Sequence, residues 1–289
     1  MNGAGELIYS AHSLQSYVDC QRRFELNYLQ ELKWPAVESE PLLASEQHMD
    51  DGRRFHEMIH RDLLGVDLPA PDARRDPDIA RWWQSFQDFR PPEAPGAPGA
   101  SDQRYVEKQL VGEIAGRTLV ATCDLITLDA DGKARIYDWK TWRRRHSREW
   151  LADRLQTRVY PFLLTAAAAT GIAAEPAQIE MIYWYAEFPD DSEVFVYDAA
   201  QCEADRAYLA TLVEEIAAKP VLDGAGPDDP EAFPMTADQR QCAYCAYRSF
   251  CDRGAMAGNE EETPPQAERE LEPVAPLLAD LDDYDAVAF

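Results

Sequence analysis

The chain has 289 residues, 46% of them hydrophobic, which supplies a packed core for one large domain or two small ones and excludes a disordered protein. Its formal net charge of −25 turns the far field against a polyanionic partner, so any nucleic-acid contact must be confined to a local basic track. No run of eighteen apolar residues occurs and no basic-then-apolar leader opens the chain, so a soluble, cytoplasmic protein without a membrane partner is expected.

Taken in chain order, "SAHSLQSYVDCQRRFELNYLQEL" places Leu14, Tyr17, Phe24 and Tyr28 at helical spacing after a Ser10 or Ser13 cap and predicts one helix. A second helix is expected through "DDGRRFHEMIHRDLLG", closed by Gly65, and a third through "DPDIARWWQSFQDF", followed by a proline- and glycine-rich loop. The period then changes to two. "RYVEKQLVGEI", "RTLVATCDLITL" and "ARIYDWKTW" read as three antiparallel strands joined by short turns. A helix through "SREWLADRLQTRVYPFLLTAAAATG" ends at Gly171, with Pro161 bending or starting it. Strands at "IEMIYWYA" and "SEVFVYD" follow, then a helix at "AQCEADRAYLATLVEEIAAK" and a cysteine-rich segment. From about Asn259 ten acids stand against Arg269 alone, which predicts an acidic, disordered tail. The pattern is an α/β domain over 1–258 with a mixed central sheet flanked by helices, and a tail over 259–289.

The stretch "RIYDWKTW" carries the chemistry. On a strand, Ile136, Asp138 and Lys140 share one face while Tyr137, Trp139 and Thr141 take the other. Whether Asp124 of the preceding strand joins them depends on the hairpin. A three-residue loop, Ala130 to Gly132, sets Asp124 opposite Asp138; a two-residue Asp-Gly loop sets it opposite Trp139. Opposed carboxylates repel unless a hard divalent cation such as Mg²⁺ lies between them. A lysine on the same face can then stabilise a phosphate or orient an attacking water, the division of labour of metal-assisted phosphodiester hydrolysis. Two acids and a lysine on a surface strand also describe ordinary ion pairs.

Asp124, then Asp138-Trp139-Lys140 on the next strand, then Gln156 and Tyr160 one helical turn apart, resemble motifs of the PD-(D/E)XK nuclease superfamily, in its RecB-like branch. The resemblance implies a restriction-endonuclease-like core and a metal-dependent deoxyribonuclease. Asp124, Asp138, Lys140, Gln156 and Tyr160 would be catalytic, and His56 would join the two aspartates in holding Mg²⁺ or Mn²⁺. The implied partner is DNA, as single strands or ends, in repair, recombination or CRISPR-type processing, with a helicase or other repair or CRISPR protein as a further partner.

Cys242, Cys245 and Cys251 form C-x₂-C-x₅-C, and Cys20 on the first helix is the natural fourth ligand, in a pattern that suits either zinc or a four-iron cluster. The resemblance implies the second, a 4Fe-4S cluster stapling the N- and C-terminal segments, as in CRISPR adaptation exonucleases and the AddB nuclease domain. Cys123 and Cys202 read as core thiols. After Lys140, six arginines (Arg143, Arg144, Arg145, Arg148, Arg154 and Arg158) interleave with Trp142 and Trp150, a candidate DNA track with Trp142 stacking on bases. Two alternatives stand beside the nuclease. One is a non-catalytic DNA-binding subunit of a repair or helicase complex; the other is a zinc metallopeptidase, because "HEMIH" at 56–60 matches H-E-x-x-H, although no third ligand follows it.

Overall fold

The computed structural model describes residues 7–34, 40–91, 103–166, 172, 174–219 and 232–254. The expected end of a helix at Gly171 and the acidic tail lie outside these residues.

A short strand, β1 (Tyr9–Ser10), leads into α1 (Ala11–Asp19), whose start is fixed reciprocally: Ser10 Oγ accepts from the Ser13 amide and Ser13 Oγ accepts from the Ser10 amide. The single helix expected here is broken. Cys20 adopts extended φ −162° and ψ 107°, ending α1, and the chain restarts as α2 (Gln21–Phe24) and a π-helical turn over Glu25–Leu29. The apolar spacing runs through the break because Phe24 and Tyr28 still face the core, so periodicity alone could not reveal it.

α3 (Glu40–Leu63) begins well before the expected "DDGRRF" stretch and ends as read from the sequence: Gly65 has φ +79° and Val66 donates back to the Arg61 carbonyl. α4 (Pro77–Phe89) follows, then the strands β2 (Gln103–Ile114), β3 (Arg117–Leu128) and β4 (Ala134–Lys140). Ala115 and Gly116, at φ +48° and +71°, make the two-residue β2–β3 turn. Next come α5 (Arg148–Asp153), α6 (Leu155–Ala166), β5 (Ile179–Tyr185), β6 (Glu193–Val196) and α7 (Ala199–Ala218). Arg154, with ψ 139°, separates α5 from α6, and α6 runs through Pro161 instead of starting there.

The six strands form one mixed sheet: β2 covers one edge of β3 along its length, while β1 and β4 share the other edge, and β5 and β6 continue outward. β4 and β5 are parallel, as their helical connection requires. Two apolar layers enclose the sheet. Leu14, Phe24, Val159, Phe162 and Leu209 pack on one side; Phe55, Ile59, Trp82 and Phe86 pack with Trp139 and Trp184 on the other. The α/β fold with a mixed sheet between helices is the one expected.

The two ends of the domain are stitched together without cysteine. The Arg22 amide donates to the Pro234 carbonyl, Tyr247 Oη donates to the Leu32 carbonyl at 2.9 Å, and Trp34 Nε1 donates to Ser249 Oγ at 2.9 Å. Arg22 and Glu25 form a buried ion pair at 2.5 Å, and the Arg22 guanidinium lies 5.7 Å from the centre of the Phe250 ring. Breaking a buried pair from one side strands a charge. Arg22→Leu should therefore lower unfolding free energy by about 3 to 5 kcal/mol, and adding Glu25→Leu should recover most of it. Chemical denaturation of the two variants measures both, and a loss in the single variant below ~1 kcal/mol contradicts the coupling of this buried pair.

Candidate active site

The site is built on a fork. The β3–β4 ladder runs from Leu128↔Ala134 to Leu125↔Tyr137 and stops, after which the strands part. The hairpin that sets this register has the three-residue loop: the Asp129 amide donates to the Lys133 carbonyl and Gly132 takes φ +81°. Asp124 and Asp138 therefore stand on facing prongs at the mouth of the fork. Asp124 Oδ2 accepts from the Trp139 amide at 2.8 Å, where a continued ladder would have supplied a backbone carbonyl.

A second distortion crosses the same point. Leu119, Ala121 and Cys123 of β3 pack in the α6-side layer, yet Leu125 packs in the α3-side layer and Ile126 returns to the first. On β2, Leu110 lies in the α6-side layer whereas Val106 packs against the α3-side layer. The register is unchanged across this reversal, with Lys108↔Cys123 on one side and Val106↔Leu125 on the other. Between them Glu107, opposite Asp124, has φ +48°, a left-handed conformation that costs an acidic residue in mid-strand about 1 to 3 kcal/mol. The kink lets Asp124 meet a side chain from α3 while its neighbour on the fork meets one from α6.

From α3, His56 Nδ1 lies 3.5 Å from Asp124 Oδ1. Gly52, one turn earlier, has no room for a side chain: a Cβ there would sit 2.9 Å from Thr141 Oγ1. From α6, Gln156 bridges the other prong. Its Nε2 donates to Asp138 Oδ1 at 2.6 Å and its Oε1 accepts from Lys140 Nζ at 2.9 Å, while Lys140 Nζ also pairs with Asp138 Oδ2 at 2.8 Å. Asp138 and Lys140 are 4% and 5% exposed, so this triangle is a desolvated and strongly coupled unit. The Trp142 and Tyr183 rings flank the lysine, with centroids 5.0 and 5.6 Å from Nζ.

Electrostatics bind the pieces. Burial works against charge on His56, but the Asp124 carboxylate beside it, with Asp138 and Glu107, raises its pKa above the ordinary value. Burial likewise opposes ionisation of Asp124, and His56, the Trp139 amide and Lys140 outweigh it and hold its pKa low. Glu107 moves the other way: burial, then the charges of Asp124, Asp138 and Glu57, push it up to about 7. This third acid carries no sequence signal, since it sits in an alternating strand as an ordinary outward residue would.

The expected residues divide. The structure brings together His56, Asp124, Asp138, Lys140 and Gln156; Tyr160, one turn beyond Gln156, is 3% exposed and packs in the α6-side core. The stacking role expected of Trp142 is revised. Trp142 is 6% exposed and packs against His146, Trp150 and Tyr185, so it is no platform for a base. Arg145 and Arg148 pair with Glu193, Arg154 lies over the Trp150 ring and 3.9 Å from Asp19, and Arg158 pairs with the fully buried Asp205. These four reach acids that are distant in sequence, Arg154 and Arg158 from partly buried positions and Arg145 and Arg148 from exposed ones. Arg143 and Arg144, exposed like Arg145 and Arg148, follow directly on the lysine strand.

Among the described residues, no group of three or more His, Cys, Asp or Glu side chains is already gathered closely enough to hold a metal ion. The donor chemistry of His56, Asp124 and Asp138, with Glu107 on the adjoining strand, nevertheless suits a hard divalent cation, which would offset the carboxylate charge that, after burial, raises the Glu107 pKa. The cysteines are neighbours as well. Burial and then the nearby Cys245 and Cys20 raise the Cys242 thiol, and burial with Cys245, Cys20 and Cys242 pushes Cys251 up to about 11. Cys20, at the extended break after the first helix, is thus near enough for its charge to act on Cys242 and Cys251.

A family model described as the PD-(D/E)XK nuclease superfamily matches residues 8–252. The chain belongs to the PD-(D/E)XK nuclease superfamily. Membership indicates a nuclease, a hydrolase whose fold implies DNA binding, and nucleases of this superfamily usually use Mg²⁺ or Mn²⁺. The solved "Crystal structure of SSO0001" is similar at 15% identity and a TM-score of 0.42, covering 87% of this chain and 89% of that one. No curated protein matches the sequence. Among the described residues no helix is long and apolar enough to cross a membrane. The HEMIH motif does not act as a unit: His56 turns to Asp124, while Glu57 points outward with its side chain 61% exposed and lies 3.7 Å from Arg61.

Glu107 gives a pH test of the cluster. Its folded pKa of about 7 exceeds the ordinary 4.5, so the metal-free fold is destabilised increasingly as pH rises between these values, fully so above 7. With chelator present, Glu107→Gln should melt above wild type at pH 8, and the gain should shrink as pH falls toward 5. A gain independent of pH contradicts the clustering of the three acids.

Proposed function

We propose that the protein is a metal-dependent deoxyribonuclease of the RecB-like branch, cutting DNA ends or single strands, with His56, Asp124 and Asp138 as metal ligands and Glu107 beside them. The observation that supports it best is the buried triangle of Asp138, Lys140 and Gln156 facing Asp124 across the fork. A bound Mg²⁺ or Mn²⁺ would supply Lewis acidity at the scissile phosphate and acidify a water. Lys140, held by Asp138 and Gln156, places a positive charge where negative charge grows on the phosphate and aligns the attacking water. Asp124 holds His56 in place and caps the Trp139 amide, which fixes the width of the fork. The single-strand or end preference follows from charge: with a net charge of −25, DNA is tolerated only in a narrow channel, near which Arg143 and Arg144 are exposed.

Cys20, Cys242, Cys245 and Cys251 would hold a 4Fe-4S cluster that locks the two ends of the domain already stitched by Tyr247 and Trp34. The stretch from 259 onward differs from the rest by its acidic composition alone; the domain over 1–258 acts in the cytoplasm in repair, recombination or CRISPR-type processing, and a helicase or other protein of those systems is its partner.

End-labelled single and double strands incubated with Mn²⁺ or Mg²⁺ test the catalytic part. Wild type should shorten the label, and Asp138→Asn or Lys140→Ala should each slow cleavage on the order of a thousandfold while DNA binding persists. Intact DNA that remains bound by wild type would instead mark a non-catalytic DNA-binding subunit. Anaerobic purification should yield about four irons and four sulfides per chain, lost in Cys20→Ser; zinc without iron contradicts the cluster.

A further inference from the structure

We propose that His48 is a positioning residue of the active site, acting through Thr141 to fix α3 against the end of the lysine strand; the inference rests on the nuclease reading of that site. His48, Gly52 and His56 are spaced one turn apart, so they form a single inward stripe on α3. Each touches a different part of the site's frame. His48 Nε2 lies 2.9 Å from the Thr141 carbonyl, Gly52 admits Thr141 Oγ1 against the helix backbone, and His56 reaches Asp124. Thr141 directly follows Lys140, so two turns of α3 grip the residue next to the lysine and a third places the imidazole at the acid.

The grip is polar and directional. A carbonyl only accepts, so His48 must carry its proton on Nε2. The ring is 7% exposed and meets the Trp82 ring edge-on at 5.4 Å, with an interplanar angle of 84°. Trp82 in turn donates from Nε1 to Glu187 Oε1 at 2.9 Å, and Glu187 is also bound by Arg81, which locks the tryptophan behind the histidine. Burial and the nearby Arg143 charge lower the His48 pKa, keeping the ring neutral with one donor nitrogen. Nothing in this chain of contacts reaches a reacting atom. Its effect is geometric: the rise of about 1.5 Å per residue sets His56 roughly 12 Å along α3 from the grip, and sliding α3 against β4 would change the spacing of His56 from Asp138 and Lys140.

His48→Leu keeps the volume and removes the donor, whereas His48→Gln restores an N–H of similar reach. For the leucine variant, a folded circular-dichroism spectrum, a kcat lowered at least about tenfold at saturating Mn²⁺, a several-fold weaker Mn²⁺ dissociation constant by titration calorimetry and a DNA KM within about twofold are expected. The glutamine variant should regain most of the loss. Hydrogen exchange in chelator gives a readout independent of catalysis: amides of 139–142 should exchange faster in His48→Leu than in wild type or His48→Gln. A folded leucine variant with wild-type exchange at 139–142 overturns the inference, as does a glutamine variant as impaired as leucine. If wild type neither binds Mn²⁺ nor cuts DNA, the nuclease reading fails and the exchange result still decides the grip. If His48→Leu does not fold, Gly52→Ala, which pushes on Thr141 from the same stripe, should produce the same local exchange, and its absence overturns the proposal.

Discussion

The parting of β3 and β4 just beyond Leu125↔Tyr137 is the constraint on which the site depends. A sheet that continued would bury Asp124 and Asp138 against each other as a paired repulsion. A sheet that ended sooner would leave them too far apart to share a ligand. The fork holds its width because Asp124 replaces the missing backbone acceptor for the Trp139 amide, while Gln156 from α6 and Lys140 from the same strand hold Asp138. Each acid is thus held by a donor that fixes its position.

The two layers divide the work. The α3 side contributes His56 above the aromatic packing of Phe55, Trp82, Phe86, Trp139 and Trp184, whose size resists any shift of the helix. The α6 side contributes Gln156 from a helix whose next turn, including Tyr160, is buried. Because the chain reverses its alternation at Glu107 and Asp124, a single residue pair can address both layers. The strain at Glu107 is the local cost of that geometry, and the packing on either side of the kink offsets it.

Much of this was legible in the sequence, for identifiable reasons. For the β3–β4 register the sequence narrows the choice to a two- or three-residue loop, and Gly132 at φ +81° closing the longer one then propagates the strand period to Asp124 and Asp138. His56 and Gln156 were legible through family motifs. Glu107 was not, because a left-handed acid in a strand is imposed by tertiary packing and alternation hides it. The break at Cys20 was hidden by apolar spacing that continues across it. Local composition shows neither the burial of Trp142 among His146, Trp150 and Tyr185 nor the acids that four of the arginines reach, because Glu193, Asp19 and Asp205 lie far away in sequence. His48 gave no signal at all, since its partner is a backbone carbonyl.

In the proposed nuclease a divalent cation binds in the fork between the two prongs. Anomalous diffraction from Mn²⁺-soaked crystals tests it most directly. A peak between Asp124 and Asp138, with oxygen ligands from both at about 2 Å, is the result expected; full occupancy elsewhere with the fork empty would contradict it.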